Sequence, residues 1–161
     1  MFGIKKDEKM YLKRTNGDVI GSGETIRKIA ENNTANLSSA DLSFANLSSA
    51  DLSSANLRFA NLRFANLSSA DLRSADFSGT KRGDWVINGR VIQISGLYYP
   101  IIVFSEHMEI GCECHSFNDW SEFNDKRILQ MDGREALEFW NENKWFLLTL
   151  CEQQVIKQEK E

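Results

Sequence analysis

The chain has 161 residues, about one domain's worth, with 42% apolar and 26% charged side chains and a single proline, so it is expected to bury a core and not to be disordered. Its formal charge of −4 counts against a broad basic surface for nucleic-acid backbones. No apolar run approaches the roughly 18 residues of a membrane span, and the opening Met1–Lys9 lacks the apolar stretch of a signal peptide. The expected setting is the cytoplasm, where Cys112, Cys114 and Cys151, too few to pair fully, remain free thiols. Charge is uneven: +2 over 1–34, −1 over 35–79 and −5 over 80–161.

In chain order, Met10 to Ile20 reads as a hairpin around an Asn16-Gly17 turn. Gly21-Ser22-Gly23 follows, and a short helix is expected from Thr25 to Glu31 with Ile26, Ile29 and Ala30 on one side. Glycines before a helix suggest a phosphate-binding turn. The fuller glycine pattern or a Gly-Lys-Ser/Thr ending is missing, so a helix start with a Ser or Thr cap fits better. Residues 1–34 are thus expected as an N-terminal cap.

From Ala35 to Gly79 the chain repeats every five residues, nine times without an insertion. Alanine stands at 35, 40 and every fifth position to 75; Asn or Asp follows each time; leucine comes next in eight repeats and Phe77 in the ninth. On a helix, positions five apart scatter around the wheel and give no apolar stripe. On a straight strand, an odd period sends successive Ala/Leu pairs to opposite faces. Short extended pieces with one bend per repeat keep every pair on one side.

This pattern, ANLSS, ADLSF, ANLRF, ADLRS and so on, resembles the A(D/N)LXX signature of the pentapeptide-repeat family. The resemblance implies a mainly β fold: a short right-handed quadrilateral β-helix in which four pentapeptides complete a coil of about 20 residues. Nine repeats then make about two coils, roughly 11 Å tall at about 4.8 Å per coil. So short a stack has two open edges that need capping.

Beyond the repeats, residues 80–120 are expected as C-terminal strands and 121–161 as C-terminal helices. Trp85–Ile94 and Tyr98–Phe104 read as strands, with Pro100 marking an irregularity. Met108, Ile110, Cys112 and Cys114 alternate with Glu109, Gly111 and Glu113, which predicts one half-buried strand with both cysteines inward. Asp125–Met131 is expected to make a turn or two of helix. Asp132 with Glu135 gives a capping-box-like start for a longer helix from about Arg134 to Val155. Leu137, Trp140, Leu147, Leu148, Cys151 and Val155 share a side, and Trp145, Phe146 and Leu150 widen the apolar surface. Such a helix is expected to dock on the coil end or on a second subunit, giving a homodimer. The stretches EHMEIGCECHSFNDW and MDGREALEFW look like the tails of small pentapeptide-repeat proteins of phages and prophages, which implies a bacterial setting and no defined activity.

The family geometry turns Ala and Leu inward and stacks residues 20 apart, which makes Phe44 and Phe64 an outward ladder with Phe59 on the neighbouring side. With Arg58 and Arg63 these rings are a candidate binding patch, unless the C-terminal block covers them. Cys112-Glu113-Cys114-His115 offers a metal reading, but three Cys and two His supply few of the ligands zinc needs, so no metal and no cofactor is expected. His107 and His115 sit in no nucleophile motif, and Asp41, Asp51, Asp71 and Asp76 are explained by the repeat, so no enzyme is expected. Some family members imitate DNA and inhibit type II topoisomerases; a two-coil stack of charge −1 is too short and too neutral for that. The resulting expectation is a rigid scaffold that binds and antagonises a bacterial protein, for example one of the host's defence factors. A small anionic, nucleotide-like ligand held by Arg58, Arg63 and nearby rings is the alternative, with no nucleic acid and no membrane involved.

Overall fold

A computed structural model of the chain describes residues 10–88 and 91–158. Met1–Lys9 and residues 89–90 of the expected strand Trp85–Ile94 lie outside the described residues. The chain divides into two units, Met1–Arg90 and Val91–Glu161, each taken by itself below.

The first unit opens on strands β1 (Met10–Lys13) and β2 (Val19–Gly23), paired antiparallel around Asn16-Gly17, where Gly17 supplies a φ of +95°. Gly21 and Gly23, expected in a loop, lie in β2. The reason is the helix that follows, α1 (Ile26–Glu31): a Cβ on Gly21 would sit 2.9 Å from Asn33 Nδ2, and one on Gly23 would sit 3.0 Å from Ile29 Cγ1. The glycines let α1 lie directly on the strand. Thr25 caps α1, its hydroxyl accepting from the Lys28 N–H at 3.1 Å.

From the second repeat to the ninth the same local chemistry recurs, while in the first Asn36 accepts from Arg14 instead. The Asn or Asp side chain accepts a hydrogen bond from the backbone N–H two residues on: Asp41 from Ser43 at 3.2 Å, Asn46 from Ser48 at 3.1 Å, and so to Asp76 from Ser78 at 3.0 Å. The next residue then takes a left-handed φ of 56–60°, and the following Ala N–H closes the turn onto the Leu carbonyl three residues back. Parallel bridges join Asp41 to Asn61, Asn46 to Asn66, Asp51 to Asp71 and Asn56 to Asp76. Each of these repeats is therefore paired with the fourth one after it, a spacing of 20 residues. The eight leucines are 0–4% exposed, and each contributes about 1.5–3 kcal/mol by leaving water. Ala40 to Ala70 are buried too, which leaves room for nothing larger.

The open edges are closed group by group. At the first coil, Asp41 N–H donates to the Lys13 carbonyl (2.7 Å), Asn56 N–H to the Thr34 carbonyl (2.8 Å) and Thr15 N–H to the Ser39 carbonyl (2.8 Å). Arg14 donates to the carbonyl of Ser38 and the side chain of Asn36. From α1, Arg27 donates to the Ser48 carbonyl (3.0 Å) and Glu31 accepts from the Asp51 N–H (3.2 Å), while the two side chains pair at 3.3 Å.

At the far edge the repeat runs one step further than its sequence signature. Strand β3 (Thr80–Arg82), paired antiparallel with β4 (Trp85–Ile87), holds Lys81 in parallel register with Asn61. Thr80 takes an alanine place, fully buried, and its hydroxyl donates to the Leu57 carbonyl at 2.6 Å. Arg82 takes a leucine place. It is 8% exposed, and its guanidinium donates to the carbonyls of Ala65 (2.8 Å) and Leu62 (3.4 Å). A cation with several donors ends the leucine stack, giving the Ala65 carbonyl a donor that another leucine would lack and the Leu62 carbonyl a second one beside the Ala65 N–H.

The second unit is a four-stranded antiparallel meander, β5 (Ile92–Ile94), β6 (Ile101–Val103), β7 (His107–Ile110) and β8 (Glu113–Ser116), followed by α2 (Phe117–Glu122) and α3 (Asp125–Gln158). Three sequence expectations are corrected here. Trp85–Ile94 is not one strand but β4 and β5, which belong to different units. Tyr98–Phe104 shortens to β6, beginning after Pro100, which has no N–H for a ladder. The 108–114 strand folds into a hairpin at Gly111 (φ +62°), so Cys112 is exposed and Cys114 half-buried, while Glu109 is buried.

Ser116 and Asp119 form a capping box that starts α2, and the Trp120 indole N–H donates to the Met108 carbonyl at 2.8 Å, fixing α2 to β7. Helix α3 breaks at Asp132 and Gly133 (φ 71°). Asp132 therefore stands one residue too early to cap the longer segment, and its carboxylate accepts the Tyr99 hydroxyl at 2.7 Å. Trp140, Leu147 and Cys151 are buried, whereas Val155 and Phe146 are exposed and Trp145 is 80% exposed. No helix among the described residues is long and apolar enough to cross a membrane.

Two outcomes are expected. Arg82→Ala removes the donor to two buried carbonyls and costs about 2–4 kcal/mol in denaturant unfolding, with the m-value unchanged. The carboxyls of Asp51, Asp71 and Asp76 lie below the usual Asp range, each held there first by a side-chain hydrogen bond, from Ser53, Arg73 and Ser78 in turn. Because these values are lowered on folding, their contribution is whole above about pH 4 and fades as pH falls through them. The triple variant Asp51→Asn/Asp71→Asn/Asp76→Asn keeps the turn acceptors, so its melting temperature should fall less than the natural chain's between pH 6 and pH 3.

Candidate functional site

The left-handed corner position directs its side chain outward, and five of the eight non-glycine corners carry Ser: 39, 49, 54, 69 and 74. The other three are Phe44, Phe59 and Phe64, and bulky residues at positive φ are uncommon because Cβ crowds the backbone. Their rings gain little burial in return: Phe44 is 76% exposed, Phe64 64% and Phe59 57%.

Phe44 and Phe64, 20 residues apart, stack with centroids 5.1 Å apart and planes at 29°. The coil register thus brings together the ladder expected from the sequence. Phe59 lies on the neighbouring repeat against Gly79, where a Cβ would come within 2.5 Å of its ring; the last corner is glycine to leave room for it. The Arg63 guanidinium lies 5.5 Å from the Phe64 centroid and pairs with Asp84 at 3.1 Å. Arg58 stands 5.6 Å from the Phe59 centroid and pairs with Asp76 at 3.2 Å. Each arginine lies over a ring and has a carboxylate partner, so the patch is apolar with little net charge. Asp84, which lies beyond the repeats, gave no signal in the sequence.

The other sequence-level candidates stand in the second unit. The His115 ring packs edge-on to Trp120 and Phe123, and its Nε2 meets Glu113 at 2.7 Å. Cys112 lies at the Gly111 turn, apart from the buried side that alternation predicted. Among the described residues no three or more His, Cys, Asp or Glu side chains gather as a metal set. Burial holds the pKa of His107 below the usual His value and pushes the Cys151 thiol up to about 12. The capping box at Ser116 was overlooked in the sequence, although Ser-x-x-Asp ahead of Trp120 spells it.

These features define a repeat protein whose coil is closed at both edges and carries an aromatic surface. Comparison with known families agrees with the five-residue period: the family model described as Pentapeptide repeats matches in eight copies, over residues 35–73 and 50–81. Over that stretch the chain is similar to pentapeptide repeats, which implies a β-helix there. No curated protein and no solved structure matches it.

The three thiols should separate by exposure. In the native state a thiol reagent is expected to take Cys112 first and Cys151 only after unfolding; three equally fast cysteines would contradict the burial described.

Proposed function

We propose that the protein is a non-enzymatic binding scaffold that docks a protein partner on Phe44, Phe59, Phe64, Arg58 and Arg63. One observation carries this reading: three phenylalanines occupy left-handed corners where serine serves the fold, and they stay in water. Side chains that break a local rule without burial in return point to a use outside the fold. Three rings at this exposure offer on the order of 300–400 Å² of apolar surface, the size of a functional patch. That is the centre of an interface and not its whole extent, which takes about 800 Å² per partner.

The coil is proposed to be the right-handed, four-sided form, whose stiffness would hold the rings in place before binding. The phage-like tail supports a phage or prophage setting in the bacterial cytoplasm, and a host protein, of the defence class, as the antagonised partner. The pairing of Arg58 with Asp76 and of Arg63 with Asp84 favours this over an anionic small ligand, which would have to compete with both carboxylates.

Affinity purification from bacterial lysate tests the proposal, comparing the natural chain with Phe44→Glu/Phe64→Glu. The variant should fold, because both rings are exposed, and should lose the partner by about 30-fold or more in affinity, as a hot spot of about 2 kcal/mol demands. Capture that resists salt supports apolar docking. Capture that salt abolishes and Arg63→Ala removes, with the double variant unaffected, would overturn it.

A further inference from the structure

The second unit contains a hollow of about 170 Å³ bounded by β8, the Gly111 turn and both segments of α3. It is close in size to the roughly 150 Å³ cavity that holds a benzene ring in a well-packed protein. Its walls are aromatic: Trp120 and Trp140 lie 5.2 Å apart, and Tyr99 meets Phe139 edge-on at 5.1 Å.

The polar groups in this wall are unequal. Three of its donors are already committed: the Tyr99 hydroxyl to Asp132 at 2.7 Å, the Trp120 indole to the Met108 carbonyl at 2.8 Å, and the Gly111 N–H to the Pro100 carbonyl at 2.9 Å. Beside the Trp140 indole N–H, what the wall offers a ligand is acceptors, the carboxylates of Glu113 and Asp132. Glu113 has cationic or imidazole company, Arg127 at 3.6 Å and His115 at 2.7 Å, whereas Asp132 is met by a neutral hydroxyl. Among the described residues no Lys, Arg or His lines the hollow. A neighbouring hollow that shares Phe139 has Glu135, Glu138 and Glu142 in its wall, so a cation approaches through a negative field.

We propose that this hollow binds a small aromatic amine, with its ring against Trp120, Trp140 and Phe139 and its ammonium on Asp132. Ring size fits the volume, aromatic faces favour a nearby cation, and the wall has acceptors where an anion would need donors. The site is separate from the patch on the repeats and does not depend on the scaffold reading.

Titration of the full chain with 2-phenylethylamine, followed by tryptophan fluorescence and calorimetry, tests this against 2-phenylethanol and phenylacetate, which keep the ring and change the charge. Saturable binding is expected with the amine at least ten-fold tighter than phenylacetate. Asp132→Asn should lose about ten-fold for the amine and leave the alcohol unchanged, and Ala136→Met should fill the hollow and abolish both. Binding that does not saturate by about 10 mM, or an acid held as tightly as the amine, overturns the proposal. An Asp132→Asn chain that is folded by its melting curve and binds the amine undiminished does so too. The ligand comparison uses the natural chain, and so decides even where a variant fails to fold.

Discussion

One short hydrogen bond recurs through the first unit and everything else there depends on it. In eight successive repeats, Asp41 to Asp76, the Asn or Asp accepts from the N–H two residues on, which turns the chain and sets the next residue into the left-handed region. With the corner fixed, Ala and Leu fall inside and the backbone groups of each repeat meet those of the repeat 20 residues away. Either side chain provides the acceptor, so Asn and Asp interchange freely along the run. Their charge is managed locally. Asn61 donates to Asp41 at 3.1 Å along one ladder, while Asp51 and Asp71, which face each other in another, have Arg73 folded back onto Asp71 at 2.9 Å.

A coil so short has almost as much edge as interior, and the ends show how that is met. Capping side chains bond backbone groups at both edges: Arg14, Arg27 and Glu31 at the first, Thr80 and Arg82 at the last. Unpaired strand edges invite pairing with other chains, and buried backbone groups without partners are costly. The caps therefore contribute stability and keep the solitary coil from propagating. Arg82 does this from a leucine position, its stem continuing the stack and its head satisfying the carbonyls.

The second unit is organised on different terms. Its sheet strands are three or four residues long and its interior is aromatic, with Trp120 touched by His115, Phe123 and Trp140 at 5.2–5.4 Å. Rings of this size cannot interdigitate as leucines do on a regular coil, and the break of α3 at Asp132 and Gly133 adds a change of direction beside them. The hollow lined by these rings follows from that packing.

The sequence alone determined the repeat, its period and its inward Ala and Leu, because a strict local pattern repeated nine times leaves one way to bury its apolar residues, while the pairing of Phe44 with Phe64 followed from the family resemblance. The turn at Asn16-Gly17 and the cap at Thr25 were legible for the same reason, being set by neighbours in the chain. The tertiary structure decided the rest. Alternation from Met108 to Cys114 read as one strand, yet a single left-handed glycine at 111 folds it into a hairpin and exposes Cys112. Gly21 and Gly23 read as a loop until α1 lay against them. Arg82 read as a residue past the repeats, and only the carbonyls of Ala65 and Leu62, far from it along the chain, show that it closes them. Local hydrogen bonds are written in adjacent residues, whereas an edge, a close approach or a covering partner exists only once distant segments meet.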